Sequence, residues 1–295
     1  METLRLLQRH LPAYAFDVVR LTNGLILLAI LLVPLERLFA LRPQKVLRKG
    51  LLTDVGYYYL SSLLPNRILA LPLAVLALGV QRVGPSILHL WAEDLPAWVR
   101  FAAALLVAEI GFYWGHRWMH QNAWLWRFHA IHHSAAEMDW LVNTRAHPVD
   151  LVITRLCGYV PLYLLGLAQA NGNRIDWVPL LVALVGSMWG YFIHANVRLR
   201  FGWLEHVVAT PGFHHWHHNN VGPEHRYKNY APILPWVDRV FGTFYLDRTK
   251  WPGAYGIDEP TESGLLGQLL QPFLPPPRGP AQPTVSECLS EAPRA

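Results

Sequence analysis

Five stretches of this chain are long and almost free of charge: Leu21–Leu35, Val55–Val80, Ala97–Trp114, Leu151–Ala168 and Trp177–Ile193. A bilayer-crossing helix needs about 20 apolar residues, with a lower limit near 17. The last three stretches come close to that window, Val55–Val80 exceeds it, and the first is long enough only if it begins near Val18. Hydrocarbon offers no partner for backbone N–H and C=O groups, so apolar segments of this length become helices. Only 15% of residues are charged, against about 25% in a soluble domain, and 13 Trp and 12 Tyr supply interfacial anchors. The expected fold is all-α, an integral membrane protein with four to five transmembrane helices. Pro65, Asn66, Arg67 and Pro72 interrupt the second stretch, which predicts a kinked or hairpin-like helix there.

The basic residues orient those helices. Arg37, Arg42, Lys45, Arg48 and Lys49 follow the first stretch, and Arg198, Arg200, Arg226, Lys228, Arg239, Arg248 and Lys250 follow the last. The loop 81–96 carries Arg82 beside Glu93 and Asp94, and 169–176 carries Arg174 alone among the basic residues. Lys and Arg favour the cytoplasmic side, which places the segments after the third and last helices there. The net charge of +5 is spread between apolar runs rather than massed on one face, which argues against nucleic acid as a partner. Two cysteines without a CxxC pair argue against disulfide scaffolds and thiolate metal sites. The N-terminus reads as no secretory signal, and no GxGxxG or P-loop supports nucleotide binding. Residues 1–50 are expected to form a membrane helix and basic loop, and 259–295 a Pro-rich, disordered tail without a core.

Thirteen of the fifteen histidines lie between His116 and His225, and eight fall into three groups. The groups are HRWMH (His116, His120), HAIHH (His129, His132, His133) and HHWHH (His214, His217, His218, with His215 between). Residues three or four apart share one face of a helix, so each group presents its imidazoles together. Eight nitrogens exceed what one zinc ion takes, which indicates a two-metal centre. Neutral imidazole suits Fe, Zn, Cu and Ni alike. The missing glutamate of an HExxH pattern weakens a zinc-dependent hydrolase, and the scarcity of polar residues within the helices weakens a membrane metal-binding or transport protein. Two redox metals beside a lipid-accessible space suit oxygen chemistry on C–H bonds. His194 leaves the last apolar helix at the same face and is a further candidate ligand. Glu109, two turns below His116, is the candidate carboxylate partner for His116 or His120. His215 points about 100° off its neighbours and is the spare of its group. His147 and His225 stand open between ligand and supporting roles, Asp139 and Asp150 between helix cap and metal partner. His10 and His89 read as ordinary surface or interfacial residues, His206 as solvated, and Arg117 as a contact for a lipid head group.

An acidic residue followed by YWGHRWMH, then FHAIHHSAAEMDWL, TRAHPVD, FIHANVRLRFGWLE, TPGFHHWHH and NYAPILPWVDRVFGTFY, resembles the fatty acid hydroxylase / sterol desaturase superfamily of integral-membrane di-iron enzymes. The resemblance implies a domain over 51–258 in which transmembrane helices carry a cytoplasmic histidine-rich helical cap. It implies two iron ions held by His116, His120, His129, His132, His133, His214, His217 and His218, with His194 as a further ligand. Such enzymes use O2 and two electrons to hydroxylate or desaturate a fatty acyl, sterol-like or ether lipid. HPVD at His147 differs from the haem-binding HPGG of the cytochrome b5 domains fused to some members. Electrons are therefore expected from a separate ferredoxin- or cytochrome b5-type protein.

Overall fold

The computed structural model describes residues 12–83, 87–168, 176–221 and 227–275. The elements are helices α1 (Ala13–Leu38), α2 (Leu51–Val83), α3 (Ile87–Glu93), α4 (Ala97–Gln121), α5 (Ala123–His133), α6 (Pro148–Leu164), α7 (Trp177–His194), α8 (Pro211–His217), α9 (Pro235–Val240) and α10 (Leu265–Leu270). Short 3-10 turns lie at Trp140–Thr144, Gly202–His206 and Gln271–Phe273. Among the described residues there is no strand, only the isolated bridges Ala40–Val197 and Asn219–Tyr255. The second apolar stretch forms one continuous helix, α2, with Pro65 and Pro72 inside it, rather than a hairpin.

Four helices are long and apolar enough to cross a membrane: Tyr14–Leu38, Leu51–Val80, Ala97–Gln121 and Trp177–His194. Their apolar surface stays outside the fold, as Leu27, Ile30 and Leu31 of α1 and Leu71 and Val75 of α2 illustrate. In water such a surface would drive association. The chain is a multi-pass membrane protein. At 17 residues α6 is about 26 Å long, and it lies along α4. A Cβ on Gly111 would overlap the Cys157 carbonyl, and one on Gly158 would run into the Phe112 ring. Small residues at this seam let the two backbones approach without a layer of side chains. His89 near the start of α4 bonds the Tyr163 carbonyl at 3.0 Å, so α6 runs back along α4 in the opposite direction. Arg100 and Asp176 pair at 2.8 Å and join the far ends of α4 and α7. The chain thus leaves α4 at one face, returns through α6 and comes back through α7.

A cap gathers at the end of α4. Asn122, in an extended conformation, accepts from the amides of Trp124 and Leu125 at 2.9 and 3.1 Å. That N-cap ends α4 and starts α5 within one residue, folding the second histidine group back over the first. A buried quartet of charge ties the cap to α2. Arg48 contacts Asp54 at 2.7 Å and Asp139 at 2.6 Å, and Arg145 contacts Asp54 at 2.6 Å. The sequence from 259 onward is not wholly without a core. Residues 259–275 pack onto the helices, with Leu265 against Gly56 and Gln268 buried. The leucines of LLGQLL supply an apolar face that the proline content obscures. The rest of that expected tail, 276–295, lies outside the described residues, as do His10 and His225.

Candidate metal centre

Nine histidines converge in two adjoining groups. His116, His120, His129, His133 and His217 form one, and His132, His194, His214 and His218 the other; within each, one nitrogen per ring lies within 4.8 Å of all the others. The groups touch through His133 and His218, whose rings stack with centroids 4.4 Å apart. The sequence groups do not map one to one onto these clusters. His129 and His133, four apart on α5, face the first cluster, while His132 faces the second. On α8 the arrangement is reversed: His214 and His218 face the second cluster and His217 the first. A helical residue three positions on lies about 60° from the first and about 100° from the fourth, so one HxxHH spacing straddles two points. The expectation that each triplet acts as a unit is corrected by that angle.

The second ring nitrogens fix the tautomers. Nδ1 of His116 donates to the Tyr230 carbonyl at 2.8 Å, that of His217 to Lys228 at 2.9 Å, that of His132 to Arg145 at 3.0 Å and that of His194 to Gly190 at 2.7 Å. Nδ1 of His129 donates to Asp150 Oδ2 at 2.8 Å. A carbonyl can only accept, so the proton sits on Nδ1 and each Nε2 presents a bare lone pair. Yet Nε2 of His116 and of His129 stand 3.1 Å apart, and those of His132 and His194 3.2 Å. These contacts have no proton to share. Burial first, then the charge of neighbouring imidazoles, pushes His132 down to about 3, and burial holds His133, His214, His217 and His218 well below the ordinary histidine value. Protonation of His132 at neutral pH therefore does not relieve the lone pairs that face one another between His132 and His194. A cation between them does, since nitrogens about 2.1 Å from a shared metal fall near these separations. The residues present fit a pair of metal ions.

The carbonyl acceptors are themselves held. Asn229 adopts φ 61°, a left-handed conformation that Asn tolerates, between Lys228 and Tyr230. Its side chain bonds Phe213 and Tyr245 at 2.7–2.9 Å. Asp238 accepts from the amides of Tyr230 and Ala231 at 2.8 and 2.9 Å, and burial pushes its carboxyl up to about 6 despite those bonds. Glu109 does not reach a histidine. Its Oε1 accepts from the amides of Ile233 and Leu234 at 2.7 and 2.6 Å, so its expected pairing with His116 or His120 is corrected. Beside a Pro-containing turn, those two amides have no other partner among the described residues, and Glu109 takes them. The carboxylate on the centre is Asp150, in the first turn of α6. Burial raises its pKa, but the nearby His129 outweighs that and leaves it below the ordinary value.

The remaining candidates fall outside the clusters. His215 is wholly buried, donating from Nε2 to Ala195 at 3.1 Å and accepting from Tyr255 at 2.7 Å. It thereby anchors α8 to the residue after His194. His147 caps α6 through Nδ1 and reaches the Leu269 carbonyl at 3.2 Å. Asp139 caps the turn at Trp140–Thr144 and pairs with Arg48. His206 contacts Arg239, and Arg117 lies over the Trp114 ring and bonds the Tyr113 hydroxyl at 3.0 Å. A cavity of about 310 Å3 reaches the first cluster between His120, His133 and His217, under Trp126, Asn219 and Tyr227.

Residues 101–243 match the family model for fatty acid hydroxylase. An ornithine lipid hydroxylase of Rhizobium tropici is 36% identical over 63% of this chain and 54% of its own length. The human alkylglycerol monooxygenase is 30% identical over 59% of this chain and 38% of its own. A methylsterol monooxygenase of Arabidopsis thaliana is 26% identical over 50% and 55%. The chain spans about half, or less, of these relatives' lengths. No solved structure matches it. Residues 101–243, which contain the histidine-bearing helices, are thus similar to the fatty acid hydroxylase family.

Proposed function

We propose that this protein is an O2-dependent di-iron lipid hydroxylase or desaturase. The observation that carries the reading is the pair of imidazole clusters whose bare Nε2 atoms face one another at 3.1–3.2 Å. His116, His120, His129, His133 and His217 would hold one ion, and His132, His194, His214 and His218 the other. Bound iron would supply dioxygen activation and oxidation of an unactivated C–H bond. The chain's own residues do the rest. Asp150 and the carbonyls of Tyr230, Lys228, Arg145 and Gly190 fix ring orientation and the ligating tautomer. Two of the spanning helices, α4 and α7, end at the clusters, so a bilayer lipid would reach them without leaving the membrane. The names of the relatives support a membrane lipid as substrate. Basic residues in the loops at the cap's end of the helices support a cytoplasmic centre, supplied with electrons by a separate ferredoxin- or cytochrome b5-type protein.

Metal analysis of detergent-purified protein from iron-replete cells tests the reading. The expected result is about two irons per chain, since two clusters carry more nitrogens than one ion uses. His132→Ala should lose metal and O2-dependent lipid oxidation together, seen in lipid extracts as loss of an oxygenated or unsaturated product. Stable zinc under iron-replete conditions, or unaltered turnover in His132→Ala, overturns it.

A further inference from the structure

A second cavity, of about 240 Å3, lies between α1 and α2 and touches none of the nine histidines. Its inner wall is apolar, built from Leu25, Ala29 and Val33 of α1 and Leu51 and Val55 of α2. Its mouth is cationic, with Arg37, Arg42 and Lys45. The two helices are pinned away from the mouth, where Tyr58 donates to the Leu21 carbonyl at 2.8 Å and Thr22 meets Tyr59 at 2.8 Å. The loop 39–50 borders the mouth at the face that bears the cap, with Arg42 bonded to the carbonyls of Pro252 and Gly253.

The charges at the mouth are unbalanced. Arg37 bonds the Gln44 carbonyl at 2.7 Å, and Arg42 lies over the Tyr255 ring at 4.2 Å. Among the described residues no carboxylate pairs with Arg37, Arg42 or Lys45. Two acids also line the cavity, and both are taken. Asp139 pairs with Arg48 at 2.6 Å, and Glu36 accepts from the amides of Trp140 and Asn196, each at 2.8 Å. Val46 at the cavity is exposed, as are Leu38, Leu47 and Leu52, which adjoin the lining residues in sequence. That combination of apolar rim and unpaired cations is what the boundary between hydrocarbon and head groups selects.

We propose that this cleft holds the anionic head group and first methylenes of a membrane phospholipid, bound as a resident ligand that joins α1 to α2 rather than as the oxidised substrate. The remainder of the acyl chain would lie along the exposed α1 face at Ile26 and Ile30. The assignment does not depend on which metal the histidines hold. Native mass spectrometry of the full chain in detergent, with equal amounts of phosphatidylglycerol and phosphatidylcholine of matched acyl chains, reads it directly. One phosphatidylglycerol per chain should be retained about tenfold or more over phosphatidylcholine, as several unpaired cations near the surface imply. Lys45→Glu, at an exposed position, should remove most of that preference, and Ala29→Phe, which fills the apolar wall, should remove retention of both lipids. Equal retention of the two lipids by the wild type, or unchanged preference in Lys45→Glu, overturns the proposal. So does inorganic phosphate that displaces the lipid at millimolar concentration, because the site would then belong to a free anion.

Discussion

Replacing Asp150 by Asn alters one charge, little volume and one contact of the centre. In the wild type, Nδ1 of His129 donates to a carboxylate at 2.8 Å, inside the protein and in the first turn of α6. A hydrogen bond to an ionised partner contributes about 1.5–3 kcal/mol, against about 0.5–1.5 for a neutral one. The amide oxygen of Asn can still accept, so the loss is the difference, roughly 1–1.5 kcal/mol. That corresponds to about tenfold weaker metal binding, the lower end of the range for outer partners of metal-bound histidines. His129 belongs to the five-histidine cluster, whereas no member of the four-histidine cluster is hydrogen-bonded to Asp150. The loss should therefore be one-sided. Chelator titration followed by metal analysis should show one ion leaving Asp150→Asn at about tenfold lower chelator than in the wild type, with the other ion unmoved. If both ions respond equally while the melting temperature is unchanged, or if neither responds, the assignment of Asp150 to a single cluster is refuted.

Three further outcomes follow from the same contacts. Burial holds His132 and His215 at about 3, while unfolded histidine titrates near 6.5. Between those values the unfolded chain binds more protons, so metal-free protein should lose stability as pH falls below about 6.5, by up to about 1.4 kcal/mol per unit for each such histidine; a melting temperature flat from pH 7.5 to 5 contradicts this. Arg48→Met leaves Asp139 and part of Asp54 uncompensated in the interior and should cost about 3–5 kcal/mol, read by thermal melting in detergent; a shift within error would show that the quartet carries little of the fold. Glu109→Gln keeps an acceptor for the amides of Ile233 and Leu234 and should retain metal and stability. Glu109→Leu orphans both amides and should lose roughly 1–3 kcal/mol for each, whereas metal loss in Glu109→Gln without a stability change would return Glu109 to the histidines.

The limits of reading this chain from its residues show at Glu109 and Asp150. Both are acids near histidines in sequence, and periodicity placed Glu109 on the face of His116. The structure gives Glu109 to a turn that begins more than a hundred residues later, and gives Asp150 to His129 across a helix junction. The supporting carbonyls left no residue-type signal at all, because every residue carries one. Tyr230 and Lys228 serve His116 and His217 through backbone direction, which Asn229 sets by its left-handed conformation. In the same way LLGQLL carried an apolar face that the prolines around it concealed.

The sequence alone determined that the chain lives in a membrane as helices, because long uncharged stretches have no other way to satisfy their backbone in hydrocarbon. It also determined which imidazoles neighbour one another along each helix, because spacings of three and four are local properties of a helix. Tertiary structure decided how they are shared. Only the relative placement of α4, α5, α7 and α8 sends His132 to one cluster and His133 to the other, since adjacent residues diverge by about 100° and what each meets depends on the helix opposite.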